Sequence, residues 1–161
     1  ALLLNAIAGY DKNDPSTERH QKIPDFTEFL QKGVKGLRIG LIRHFYTTDL
    51  KADDEMCKAV DDAAATFKKL GAIVEELQVS PLSHFSSCNS IIMYCEALSI
   101  HDKWFKTRPN DYSKATRTRL MPGLFIKGED YVNALRTRTK LTQEINNQFR
   151  NFDFATLKFF Y

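Results

Sequence analysis

Leu37-Arg38-Ile39-Gly40-Leu41-Ile42, then Asp53-Asp54-Glu55, then Ala72-Ile73-Val74 are the three pieces whose reading decides the fold. The first is a short apolar run behind the breakers Gly33 and Gly36, the pattern of a buried strand. The second supplies a helix cap and first-turn carboxylates that complement a helix dipole. Met56, Val60, Ala63, Ala64, Phe67 and Leu70 follow at spacings of three and four, one apolar stripe that Gly71 ends. The third piece opens a second strand reaching about Val79. Strand, amphipathic helix, strand is a βαβ unit. Residues 37–42 and 72–79 are therefore expected to be parallel neighbours, bridged by helix 53–70 through a right-handed crossover.

Downstream of this unit the pattern turns helical. Ile91, Ile92, Cys95, Leu98 and Trp104 mark a long helix between Pro81 and Arg108-Pro109. A second helix is expected from Tyr112 to Leu120, broken into a loop by Pro122-Gly123, and a third from Glu129-Asp130 onward. Upstream, residues 1–9 read as the end of a buried apolar helix with Gly9 as its C-cap. Residues 10–25 carry turn chemistry without periodicity, and Phe26, Phe29 and Leu30 recur at helical spacing for a turn or two. The chain is thus an α/β protein in four stretches. They are a helix end and irregular arm (1–25), the βαβ unit (26–80), a helical region (81–150) and a tail (151–161).

The 161 residues are 43% hydrophobic and 27% charged, globular composition that excludes a disordered, collagenous or rod-like chain. No apolar run approaches the roughly 20 residues of a membrane helix. Three cysteines, none in a CxxC pair, suggest neither a disulfide framework nor a zinc ribbon, and a cytoplasmic setting is the default. The net charge of +3 hides an asymmetry. Residues 1–100 hold 11 Lys and Arg against 14 Asp and Glu, and residues 101–161 hold 12 against 6. Solvated helix faces explain that excess better than a nucleic-acid surface.

Candidate chemistry is sparse. His20, His44, His84 and His101 have no metal-ligand spacing, so no metal or other cofactor is expected. His101 and Asp102 are adjacent on a helix and point about 100° apart, so they are not a dyad. Neither a GxSxG elbow nor a phosphate loop is present, and Ser83, Ser86 and Ser87 have no basic partner at a recognisable spacing. Cys88 and Cys95 share a helical face and read as small core residues. Arg136, Arg138 and Lys140 read as a solvated face. The sharper feature is Arg117 and Arg119, just before Leu120-Met121-Pro122-Gly123. An arginine there can stabilise a helix end, or hold a rigid fork toward a carboxylate in a cleft.

The order of several segments resembles the amidase signature family, which includes amidases and the A subunit of the glutamyl-tRNA amidotransferase. The pieces are Ala1-Leu2-Leu3-Leu4-Asn5-Ala6-Ile7-Ala8-Gly9-Tyr10-Asp11 with Asp14-Pro15-Ser16, Pro24-Asp25-Phe26 and Gly36-Leu37-Arg38-Ile39-Gly40. Leu70-Gly71-Ala72-Ile73-Val74-Glu75, Glu96-Ala97, Arg119-Leu120-Met121-Pro122-Gly123 and Asp130-Tyr131 follow in order, so the likeness covers about residues 1–150. The resemblance implies amide cleavage by a serine, assisted by a second serine and a lysine, with an oxyanion hole from a Gly/Ser-rich loop. It also implies that this set lies upstream of the position matching Ala1, so the chain contributes no catalytic residue. Arg119 matches the arginine of an Arg-x-x-x-Gly pattern that pairs with the carboxylate of the amide donor in the amidotransferase branch.

Two departures from the family pattern stand out. Lys127 replaces a small hydroxyl cap, which weakens the start of the third helix. After Asp153 the family runs into a hydrophobic strand, whereas Phe154 to Tyr161 reads as a divergent tail, as a frameshift or early stop would leave. The resemblance makes the chain a segment of a larger amidase-like α/β fold, inactive alone, with a small-molecule amide as partner only when joined to the core. The alternative is a non-catalytic interaction module, tRNA-linked through the amidotransferase branch. On either reading Leu2, Leu3, Leu4 and Ile7 offer an apolar patch for self-association.

Overall fold

A computed structural model describes residues 1–19 and 22–156 in two compact units, Ala1–Lys35 and Gly36–Tyr161. His20 and the tail beyond Thr156 lie outside the described residues. The first unit holds one short helix, α1 (Leu2–Ile7), followed by turns. Three of its expectations are corrected. The C-cap is Ala8 in an extended conformation rather than Gly9, and α1 buries nothing, with Leu2 79% and Ile7 69% exposed. Phe26 to Leu30 form i to i−3 turns rather than a helix. Side chains hold this segment in shape. The Asn5 amide donates to Asp25 Oδ1 at 2.9 Å and its oxygen accepts from Phe26 N at 2.9 Å.

Hydrogen bonds from the Thr27 hydroxyl, the Asn5 amide and the Thr27 N–H hold the Asp25 carboxyl below the ordinary value of 3.8. The Ser16 hydroxyl and N–H do the same for Asp14. A depressed carboxylate stabilises the folded turn above its unfolded pKa and loses that contribution as pH falls through the lower, folded value. The Ser16 and Thr27 amide resonances should therefore titrate with midpoints below 3.8. Midpoints at or above that value in an NMR pH series would show that these turns are not held by their carboxylates.

In the second unit, β1 (Arg38–Leu41), α2 (Asp54–Lys69) and β2 (Ile73–Glu76) form the expected βαβ unit, with β1 and β2 parallel and Ile39 opposite Val74. Asp53 caps α2 by accepting from Met56 N, and Gly71 at φ 92° ends the turn that follows. Gly71 O also accepts from Gly36 N at 2.8 Å, which closes the entry of β1 onto the exit of α2. A third strand, β3 (Phe154–Thr156), lies parallel to β1 on its other side, giving the order β2-β1-β3. The start of the expected divergent tail is thus a sheet strand. Arg38 and Asp153 pin it: Arg38 N donates to Asp153 Oδ2, and Asp153 N to Arg38 O, both at 2.8 Å.

Alternation along central β1 sends side chains to two layers. Leu41, with Tyr46 and Ala52, packs under Cys57, Val60 and Ala64 of α2. On the opposite face Ile42, Phe45 and Leu77 pack with Leu82, Phe85 and Phe152. Gly40 permits that second layer, because a Cβ there would stand 3.0 Å from Leu77 Cδ2 and 3.3 Å from Phe152 Cγ. Strand β2 is an edge, so Ile73 is 47% exposed. Between β1 and α2 a π-helical turn, Phe45–Asp49, buries Phe45 and Tyr46.

The helical half contains α3 (Leu82–Thr107), a 3₁₀ turn (Pro109–Asp111), α4 (Lys114–Leu120), a second 3₁₀ turn (Met121–Phe125) and α5 (Gly128–Phe149). Helices α3 and α5 run antiparallel: Ser80, before α3, meets Glu144, and Glu96 meets Tyr131. Their seam is built on Cys88, Ile92, Ala134 and Leu141. Asp49 Oδ2 accepts from Leu82 N at 2.7 Å and fastens the start of α3 to the sheet half. Lys127 does not prevent α5 from starting, because Asp130 accepts from Lys127 N at 3.2 Å. No described helix is long and apolar enough to cross a membrane.

Candidate functional site

Arg119 lies in the last turn of α4, a helix fixed at its start by Ser113, whose Oγ accepts from Thr116 N at 3.1 Å. The neighbouring Arg117 donates to Asn110 Oδ1 at 3.3 Å and so braces α4 against the preceding 3₁₀ turn. Arg119 is exposed and, among the described residues, makes no hydrogen bond or ion pair. The two candidate arginines therefore differ: one is committed to the scaffold and the other has its five donors free.

The expected loop after Leu120 is instead a continuation of the helix. Leu120 is buried, and the chain passes directly into the 3₁₀ turn Met121–Phe125, whose early Pro122 needs no N–H partner. Gly123 in that turn is buried against α3: a Cβ there would stand 2.6 Å from the Tyr94 carbonyl oxygen and 3.1 Å from Leu98 Cβ. The structural meaning of Gly123 was not legible beyond its place in a Pro-Gly pair.

Several of the other candidates resolve into local roles. His101 Nδ1 lies 3.1 Å from the Tyr112 hydroxyl, while Asp102 pairs with Lys106, so the adjacent pair is no dyad. Cys88 is buried and donates to Ala134 O at 3.1 Å. Burial pushes the Cys95 thiol up, which makes it a poor nucleophile. Tyr131, likewise raised by burial and by its bond to Glu96 at 3.2 Å, stays a neutral donor. Arg136, Arg138 and Lys140 are exposed on α5.

Several serines are committed to local hydrogen bonds, while Ser83 and Ser87 line a groove beside α5. Ser86 donates to Ser83 O, Ser99 to Glu96 O, Ser80 to Glu144, and Ser113 caps α4. The paired lysines face carboxylates: Lys32 with Glu28, Lys58 with Asp62, Lys106 with Asp102 and Lys127 with Glu129. Among the described residues no serine hydroxyl meets a lysine ammonium, so no activated nucleophile is assembled. Two grooves flank the α3–α5 seam, one lined by Phe85, Ile92, Arg138 and Ile145, the other by His84, Ser87, Asp130 and Thr137. Arg119 borders neither.

The parallel three-stranded sheet backed by α2 and the antiparallel helix pair form an α/β arrangement that matches about a third of larger amidase-signature structures. A solved vestigial protein complex that reveals the evolutionary origins of an s-triazine catabolic enzyme matches at TM-score 0.78 and 28% identity. That match covers 95% of this chain and 32% of that one. A bacterial aryl acylamidase of the amidase signature family shares the fold at TM-score 0.74 over 96% of this chain and 33% of that one, at 24% identity. The chain belongs to the amidase family, whose model matches residues 1–157. The A subunit of glutamyl-tRNA(Gln) amidotransferase from Ligilactobacillus salivarius is 28% identical over 95% of this chain and 36% of its own length. An amidase from Pseudomonas putida is 30% identical over 95% and 32%. The chain thus spans about a third of the length of the relatives it matches.

Proposed function

We propose that this chain is the substrate-side segment of an amidase-family hydrolase of carbon–nitrogen bonds, and that Arg119 faces the substrate. The observation that carries the reading is a family match over residues 1–157 in a chain about a third as long as its relatives, with no serine–lysine pair among the described residues. The nucleophile, proton relay and oxyanion donors then belong to the rest of the enzyme, and this segment is inactive alone. Arg119 suits the role because its fork is unpartnered while its backbone is held by buried Leu120 and Gly123. The exposed Leu2, Leu3, Leu4 and Ile7 are a face for that core, and in its absence a face for self-association. Three free cysteines favour the cytoplasm.

The test is Arg119→Lys in the enzyme that joins this segment to its core. Lysine keeps the charge and loses the planar fork, so the preference for a carboxylate-bearing over a neutral amide should fall by about 1.5–3 kcal/mol. An unchanged preference accompanied by a lower melting temperature would assign Arg119 to the scaffold.

A further inference from the structure

We infer that Gly123 is the positioning residue of Arg119, setting where its fork stands by letting one turn of backbone lie directly on α3. The inference rests on the substrate-facing reading of Arg119 given above. An added Cβ at Gly123 would stand 2.6 Å from the Tyr94 carbonyl oxygen, 3.1 Å from Leu98 Cβ and 3.2 Å from the Tyr94 carbonyl carbon, where ordinary contact begins at 3.4 Å. Two of those atoms are helix backbone and cannot swing aside. Gly123 is not among the glycines with positive φ, which are Gly33, Gly36 and Gly71, so its requirement is steric and not conformational.

The link from Gly123 back to Arg119 is stiff. Leu120 and Met121 are both right-handed helical, so α4 runs into the 3₁₀ turn without a joint, and Pro122 restricts the backbone between them. Buried Leu120 anchors the same turn. Arg119 itself has no side-chain partner among the described residues, so the placement of its backbone sets the volume its guanidinium can reach when a carboxylate engages it. A methyl group at residue 123 must therefore lift the turn from α3, by about 0.5–1 Å if ordinary van der Waals contact is restored. That lift moves the base of Arg119, and a misplacement of about 1 Å can cost up to about a hundredfold.

The experiment is a double-mutant cycle of Gly123→Ala and Arg119→Lys in the enzyme that carries this segment with its serine–lysine core. It reads the ratio of kcat/KM for a carboxylate-bearing amide to that for its neutral isostere. The expected result is a fall of about tenfold or more in that ratio for each single variant. The double variant should fall no further, because both act through one guanidinium. If Gly123→Ala does not fold, Pro122→Ala loosens the same link without adding bulk, and should lower the ratio about threefold in the Arg119 background only. A fall with Arg119→Lys but none with the Gly123 and Pro122 variants would overturn the positioning role and leave Arg119 standing. Additive losses would overturn it as well, and an unmoved ratio for Arg119→Lys would remove the reading beneath it.

Discussion

Purified alone, this chain is expected to turn over no amide, whether aliphatic, aromatic or the side chain of glutamine. Acyl transfer needs a nucleophile whose proton can leave and donors aimed at the developing oxyanion. Among the described residues no serine hydroxyl meets a lysine ammonium. Ser86 and Ser99 spend their hydroxyls on carbonyls one turn back, and Ser80 gives its proton to Glu144. The Cys95 thiol is held protonated by burial, and Cys88 is sealed in the α3–α5 seam. One oxyanion-hole donor is commonly worth about 10²–10³ in kcat and removing an activated serine costs more, so a chain without them should show no detectable turnover. The check is a panel of amides assayed with repurified protein at high concentration. Turnover that persists on repurification and vanishes when one of this chain's own serines is changed would overturn the expectation.

The sheet half of this architecture was legible because its signals are local. An apolar run behind two glycines, a capped apolar stripe and a second run after Gly71 correspond to β1, α2 and β2. What escaped depended on pairing. Phe154–Thr156 has no periodicity of its own in three residues and is a strand only because β1 offers a free edge beside Arg38 and Asp153. The stripe on α2 was drawn one residue off its true centre: Met56 and Phe67 are each 39% exposed, while Cys57 joins Val60 and Ala64 against the sheet. Three strands are too narrow to cover a whole helix stripe. The π-helical turn Phe45–Asp49 had no sequence signal either, and inside it Tyr46 is 1% exposed with its hydroxyl unpartnered. At the candidate site the arginine was visible as a residue type before a break. Its freedom was not, because that depends on Asn110 taking Arg117 and leaving Arg119 alone.

Glu144→Ala should be the most damaging single polar substitution in the helical half, costing about 2–4 kcal/mol of stability. Glu144 sits near the end of α5 and accepts two bonds from one residue 64 positions away, Ser80 N–H at 2.6 Å and Ser80 Oγ–H at 2.7 Å. Both are charge-assisted and partly shielded from water, a setting where each such bond contributes about 1.5–3 kcal/mol. Position strengthens the case. Ser80 lies between β2 and α3, so this carboxylate ties the exit of the sheet to the far end of the helix pair and also meets the positive end of the α3 dipole. Removing it leaves the Ser80 N–H without its carboxylate partner and frees the hinge on which α3, and with it Tyr94 and the Gly123 contact, is hung. Glu144→Gln keeps one acceptor and loses the charge, so it should fall between wild type and alanine. Chemical denaturation of the three proteins, read at constant slope, tests this ordering. A loss below about 0.5 kcal/mol for the alanine variant would mark the Ser80 contact as a solvated surface pair, whereas a large loss equal in both variants would place its strength in the charge alone.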